Sequence, residues 1–321
     1  MPIKKVTGQI HVETKTAEQP QQPTPLTSFT QPTEPTTETP STPTPLSTPT
    51  LITQPSVGTK ITLSFDLLPI DTLLGNSFGK ITPGVYMVGG KSGLGKTSVL
   101  LHLLAKALKM GLKCRLVDTE FQIDTDRLTQ ISKANDIPYE LLASSIVTIM
   151  DWDTLVSTIR ADLPHGGYQF YAIDSITSPW NYEFFQLREQ IDAGDESAKG
   201  KLGLIGQQRS QLAIFFNLQT WKQQMFIFLT AHVKSEFMQK QGGEMGKDEL
   251  RALGTDYPLL GGGEMFYQSK FWIYLAPKII KEAGKQRVAR MLYLGKHKSK
   301  ADYKVSLTSV EFQVCDAGIK T

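Results

Sequence analysis

Apolar residues are sparse up to about Gly58. Beyond it they recur in short runs separated by stretches of helical periodicity. Gly84-Val85-Tyr86-Met87-Val88-Gly89 is a run of buried-strand length, and Ser98 to Met110 has helical spacing that stops at Gly111. The alternation continues. Cys114 to Asp118 predicts a strand, Thr125 to Ala134 a helix, Ile146 to Met150 a short strand and Thr154 to Leu163 a helix. Phe170 to Asp174 predicts a strand, Gly206 to Gln223 a long helix and Met225 to Thr230 a strand. After Gly261 the helical spacing is lost. Lys270 to Leu275, Arg287 to Leu294 and Val305 to Val314 predict three further strands that finish the sheet antiparallel. The pattern predicts an α/β fold, with a mostly parallel central sheet, helices on both faces and antiparallel C-terminal strands. No internal repeat is visible.

Composition separates residues 1–58 from the rest. Pro, Thr, Ser, Gln and Glu dominate there, as in Pro40-Ser41-Thr42-Pro43-Thr44-Pro45. Too little apolar surface is present to offset the entropy of ordering the chain. We expect a disordered Pro/Thr-rich tail over 1–58 that acts as a tether or spacer for a protein partner. A glycosylated stalk is the alternative. Only Val6 to Val12 has the pattern of a short docking strand. Residues 59–321 are then one globular domain.

Hydrophobic residues make up 40% of the chain, enough for a real core, and the net charge of +3 neither demands nor excludes nucleic acid. Cys114 and Cys315 stand far apart without metal-ligand spacing, as two reduced thiols do. No run is apolar enough to span a membrane or to form a signal core. The expectation is a soluble cytoplasmic protein.

The run Gly90-Lys91-Ser92-Gly93-Leu94-Gly95-Lys96-Thr97, followed by Ser98, changes the picture. It fits G-x-x-x-x-G-K-[ST], between a predicted strand and a predicted helix, which is the context a phosphate-binding loop needs. Glycines let backbone N–H groups close around phosphates, and the helix N-terminus faces them. Lys96 would neutralise the β- and γ-phosphates of ATP or GTP, and the Thr97 hydroxyl would hold Mg²⁺.

Four further positions fit this chemistry. Asp174, at the carboxyl end of a strand, would hold the Mg²⁺ water shell; capping a helix is its plainer role. Glu120, after the strand ending at Asp118, would orient and deprotonate the attacking water, which a protein that only binds nucleotide does not need. His232 follows Leu229-Thr230-Ala231 and is placed to sense the γ-phosphate. Lys296 and Lys298 alternate on a strand and so share a face. They would either reach a neighbouring subunit's γ-phosphate or line a solvated sheet edge.

Taken in order, these residues resemble the RecA/RadA recombinase superfamily, and its archaeal RadA and RadB branch most. The likeness runs from about Ile61 to Ala317. It includes Ile70-Asp71-Thr72-Leu73-Leu74-Gly75, the run Val117 to Leu128, Ile173-Asp174-Ser175-Ile176-Thr177-Ser178, Lys199-Gly200-Lys201-Leu202, Thr230-Ala231-His232, Pro258 to Glu264 and Lys296-His297-Lys298. The resemblance implies a RecA-like ATPase core and a DNA-dependent ATPase of homologous recombination or repair. It also implies ATP and Mg²⁺ as cofactors, and a homo-oligomer, filament or ring, with ATP at the interface. Single-stranded DNA would lie along two loops, roughly Glu189 to Leu202 and Val233 to Leu260, with Lys199, Lys201, Lys234 and Lys240 on its phosphates. Such a protein would be cytoplasmic and nucleoid-associated.

The chain departs from the family at several points. The family's arginine in the helix after the first loop is Ile205, and the glycine after the catalytic Glu is Phe121. Acidic residues outweigh the cations of the second loop. The tail stands where RadA carries a helix-hairpin-helix domain. These departures imply a mediator or paralogue rather than the main strand-exchange enzyme. Two alternatives stay open: a ring-forming DnaB- or KaiC-like ATPase, and a nucleotide-gated adaptor with little turnover.

Overall fold

The first predicted strand is buried along its whole length, as a central strand covered on both faces must be. In a computed structural model, which describes residues 61–74, 81–232, 269–282, 285–297 and 309–321, it is β1, Gly84–Gly90. It follows a short helix, α1 (Leu68–Leu74), and leads into α2 (Lys96–Lys109). Next come β2 (Cys114–Asp118), α3 (Thr125–Asn135), α4 (Tyr139–Ser144), β3 (Ile146–Thr148), α5 (Trp152–His165) and β4 (Phe170–Asp174). An α-hairpin, α6 (Thr177–Asp192) and α7 (Glu196–Gln223), precedes β5 (Phe226–His232). The C-terminal strands are β6 (Phe271–Glu282), β7 (Lys285–His297), β8 (Ser309–Cys315) and β9 (Gly318–Lys320).

Among the described residues, nine strands form one sheet in the order β3-β2-β4-β5-β1-β6-β7-β8-β9. Strands β1 to β6 run parallel to their neighbours, and β7, β8 and β9 are antiparallel additions. Antiparallel pairing thus begins a strand later than expected, because β6 lies parallel beside β1. Period-two alternation divides the core. Tyr171, Ile173, Ile227, Leu229 and Tyr274 pack with α5, α6 and α7. Phe170, Ala172, Phe226, Phe228 and Leu275 pack with α2, α3 and α4. Fully burying a Phe, Leu or Ile among them stabilises by roughly 1.5–3 kcal/mol.

Aspartates set three helix starts. Asp124, Asp151 and Asp195 accept from the amides of Arg127, Thr154 and Ser197 at the starts of α3, α5 and α7. Each such cap contributes about 1 kcal/mol. The last explains a difference from the sequence pattern. Helix α7 starts at Glu196, well before the expected Gly206, and passes through Gly200, Gly203 and Gly206. The cap at Asp195 and the burial of Ala198 and Ile205 offset a glycine cost of about 1 kcal/mol each. The first expected DNA loop, Glu189 to Leu202, is accordingly a helix–turn–helix.

His102, in α2, joins the two ends of the globular chain. Its Nε2 lies 2.7 Å from the carbonyl oxygen of Phe65 and its Nδ1 3.3 Å from that of Ala317. Gly318 is needed beside it. Its φ is +113°, and a Cβ there would sit 2.6 Å from the His102 Cβ. Among the described residues, no helix is long and apolar enough to cross a membrane. The expected tail, the second DNA loop with Lys234 and Lys240, and Lys298 all lie outside the described residues.

Candidate nucleotide site

Four adjacent strands end at one place. Gly90 of β1 pairs with His232 of β5, and Asp118 of β2 pairs with Asp174 of β4. The connection from β1 leaves through α2 on one face of the sheet, and that from β4 through α6 on the other. A crevice at such a switch point is where open α/β sheets bind ligands.

The loop from Gly90 to Gly95 fills one side of this crevice. Gly95 caps α2 at φ +99° without a side-chain cap, so the first amides of α2 are free to face a phosphate. A Cβ on Gly95 would come 3.0 Å from Val314 of β8, so this strand backs the loop. Lys96 is buried and donates from Nζ to the Lys91 carbonyl at 3.1 Å. Burial pulls its pKa down, while Glu120 and Asp174 oppose that pull.

Asp174 is almost wholly buried. Its Oδ1 accepts from the Thr230 hydroxyl and Oδ2 has no hydrogen-bond partner, while the nearby Thr97 hydroxyl favours the charged carboxylate. Burial is the main cause of its raised pKa. A buried carboxylate oxygen without a donor, beside a threonine hydroxyl and a phosphate loop, is a donor set that fits Mg²⁺ with nucleotide phosphates. Thr97 and Asp174 are the residues that would hold it.

Glu120 is shaped by its neighbour. Asp118 accepts from the amides of Glu120 and Ile123 at 3.0 and 3.2 Å and curls the chain beyond β2. Phe121 then takes φ 56°, the left-handed conformation. This explains a departure seen in the sequence. The position needs positive φ, which glycine adopts freely and Phe adopts at about 1–2 kcal/mol. Oε1 of Glu120 accepts from the Ser178 hydroxyl at 2.9 Å and lies 2.6 Å from Nε2 of His232. Burial pushes the carboxyl up, but hydrogen bonds from His232, Ser175 and Ser178 outweigh it and hold the pKa at about 2.

Beyond the phosphate loop the cavity continues between Gln122, Asp124, Arg127, Arg290 and Val314. Arg127 is fixed by bonds to the Cys315 carbonyl at 3.0 Å and the Ser98 hydroxyl at 3.4 Å. Roles for Arg127 and Arg290 were missed in the sequence. Arg127 falls within the run that resembles the family, whereas Arg290 is a lone cation on a strand and carries no signal. Ser178 carries a signal only through the resemblance of its run, Ile173 to Ser178.

Lys296, expected to serve a neighbouring subunit, and Lys199 and Lys201, expected on DNA, lie elsewhere in the fold. The backbone of Lys296 pairs with Trp272, which is level with Met87 rather than Gly90, toward the amino end of β6. Lys199 pairs with Glu196 at 2.7 Å, and Lys201 is exposed on the same turn of α7.

No protein-family model matches the chain, and no curated protein matches it. Among solved structures, the crystal structure of the RadB recombinase matches with a TM-score of 0.53 and 18% identity. The match covers 80% of this chain and 98% of that one. The order of the strands, the glycine-rich loop after β1 and this likeness agree: the chain has a RecA-like fold.

Proposed function

We propose that the chain is an ATP hydrolase of homologous recombination or repair, of RadA/RadB type, whose turnover is coupled to single-stranded DNA. The observation that carries the hydrolase reading is the convergence of Glu120, Lys96 and the unpartnered Oδ2 of Asp174 at adjoining strand ends. Glu120 accepts a proton from the water that attacks the γ-phosphorus. The bond to the β,γ-bridging oxygen breaks, and Lys96 with the amides of α2 neutralises the charge left on that oxygen. Mg²⁺, when bound with the nucleotide, supplies further charge neutralisation. His232 reads the γ-phosphate and passes its presence to the segment after β5.

The DNA side of the reading is supported by the resemblance of the motifs and by the shared fold. Lys199, Lys201, Lys234 and Lys240 would contribute cations, and Lys296 and Lys298 would act on the nucleotide of a second copy in a homo-oligomer. The protein would work in the cytoplasm on the nucleoid, with the tail holding a protein partner. Steady-state ATP hydrolysis with and without single-stranded DNA tests the proposal, with Lys96→Ala as control. Stimulation that fades with salt is the expected result. Turnover indifferent to DNA sinks it.

One observation favours a second reading, a nucleotide-gated adaptor with little turnover. A carboxylate held at about pKa 2 is a weak general base. Under that reading Glu120→Gln leaves function intact.

A further inference from the structure

The β6–β7 hairpin outruns the sheet. The last pair of β1 with β6 is Gly90 with Leu275, but β6 continues to Glu282 and β7 begins at Lys285. The excess is roughly 20 Å of two-stranded ribbon. The β7–β8 pairing covers only Arg290 to Tyr293 of β7, so among the described residues the outer ribbon has neither edge paired. It stands at the end of the sheet that carries the phosphate loop.

Cations outnumber acids along it. Lys278, Lys281 and Lys285 are exposed, and none is in an ion pair among the described residues. The nearby Glu311 is already held by both guanidinium nitrogens of Arg287. In the cross-strand register Lys278 faces Ala289, Lys281 faces Gln286 and Lys285 faces Glu282. Alternation puts Lys278 and Lys285 on one face of the ribbon and Lys281 on the other. A ribbon with cations on both faces, and Glu282 opposite Lys285 as the acid of its described residues, is matched to a polyanion that can pass along it. An acidic patch on a protein would meet only one face.

We propose that this hairpin is a binding surface for the phosphodiester backbone of DNA, with Lys278, Lys281 and Lys285 each on a phosphate. The proposal rests on the DNA reading above and deepens it. Contacts of this kind supply affinity without sequence preference. They also reach the nucleotide. Arg290, at the base of the ribbon, lines the same cavity as Lys96 and Thr97. Phe312, which pairs with Arg290, lies behind Gly95. DNA seated on the ribbon therefore bears on the strand that shapes the phosphate loop.

The test is fluorescence anisotropy of a labelled single-stranded oligonucleotide, and of its duplex, titrated with the full chain across a salt series. The variant carries Lys278→Ala, Lys281→Ala and Lys285→Ala. Its log-affinity against log-salt slope for the single strand should be shallower than wild type by about 2, from three lost phosphates. Unrelated oligonucleotides should weaken by the same factor. The matching triple Lys→Arg variant should keep the slope, and the Tm and DNA-free ATP turnover should not move. If wild type binds and the Ala variant keeps its slope, the hairpin is a solvated ribbon or docks an acidic protein, and the proposal falls while the DNA reading stands. If wild type binds neither oligonucleotide, the DNA reading falls and takes the hairpin with it. The larger slope change of the two nucleic acids identifies which one the ribbon holds.

Discussion

His232 and Glu120 face each other across the ends of β5 and β2, with Nε2 2.6 Å from Oε1. The candidate base is therefore occupied by the candidate sensor. Removing the imidazole with His232→Ala takes away the strongest contact holding the carboxyl down, and burial then dominates. The pKa of Glu120 should rise from about 2 toward or beyond its ordinary 4.5. A base with a higher pKa is protonated at higher pH, so the acid limb of the kcat–pH profile should move upward. Ser178→Ala should move it less, in the same direction. An unmoved limb would show that Glu120 ionisation does not limit turnover.

Lys96 and Asp174 should separate by readout. Lys96→Ala should weaken binding of a fluorescent ATP analogue by about 10²-fold or more, since under the proposed function the site loses its buried ammonium donor. It should not lower the Tm, because the ammonium is desolvated where it stands. Asp174→Asn should instead raise the Mg²⁺ needed for half-maximal turnover by at least about tenfold. Loss of stability without a change in Mg²⁺ requirement would make Asp174 a structural acid.

Arg290 lines a cavity that Glu120, Asp174 and His232 do not line, so under the proposed function it contacts the nucleotide apart from the reacting group. Contacts of that kind are felt equally in the ground and transition states. Arg290→Ala should therefore raise KM for ATP by about tenfold, or about 1.4 kcal/mol, with kcat unchanged. A fall in kcat at constant KM would move Arg290 into the chemical step.

His102 makes stability depend on pH. Burial is the main cause that lowers its pKa below the ordinary 6.5, so the folded ring stays neutral where the unfolded ring takes up a proton. The unfolded state then binds more protons, and stability falls as pH drops below 6.5 and through the lowered folded value. The slope in that window is at most about 1.4 kcal/mol per pH unit. Urea midpoints measured across it should show the fall, and His102→Gln should flatten it. Equal slopes in both proteins would assign the pH dependence elsewhere.

Much of the site was legible because its residues cluster at the ends of short apolar runs. Gly90, Asp118, Asp174 and His232 each close a strand, and strand ends can be read from hydrophobic spacing alone. The elements that were not legible broke a local rule. Glycines hid the first turns of α7, whose start depends on the cap at Asp195. Phe121 stands where backbone geometry favours glycine, and only its φ of 56° shows why. Nothing in the spacing of Lys270 to Leu275 foretells that β6 runs on to Glu282. Length beyond a partner strand is set by the hairpin's own register. Lys296 was legible as a motif but not as a position, since its level along the sheet follows from pairing with Trp272.

The clasp at His102 has a consequence for how the chain could be rewired. Phe65 lies near the start of the globular region and Ala317 near its end, and both offer a carbonyl oxygen to one imidazole. The two ends of the domain thus meet at one point, and a short peptide would close the backbone into a loop. In such a circular permutant the phosphate-binding turn would stay fastened by the same helix, wherever the new termini were cut on the surface. The imidazole would bridge the same two carbonyls whatever the order in which the strands were synthesised.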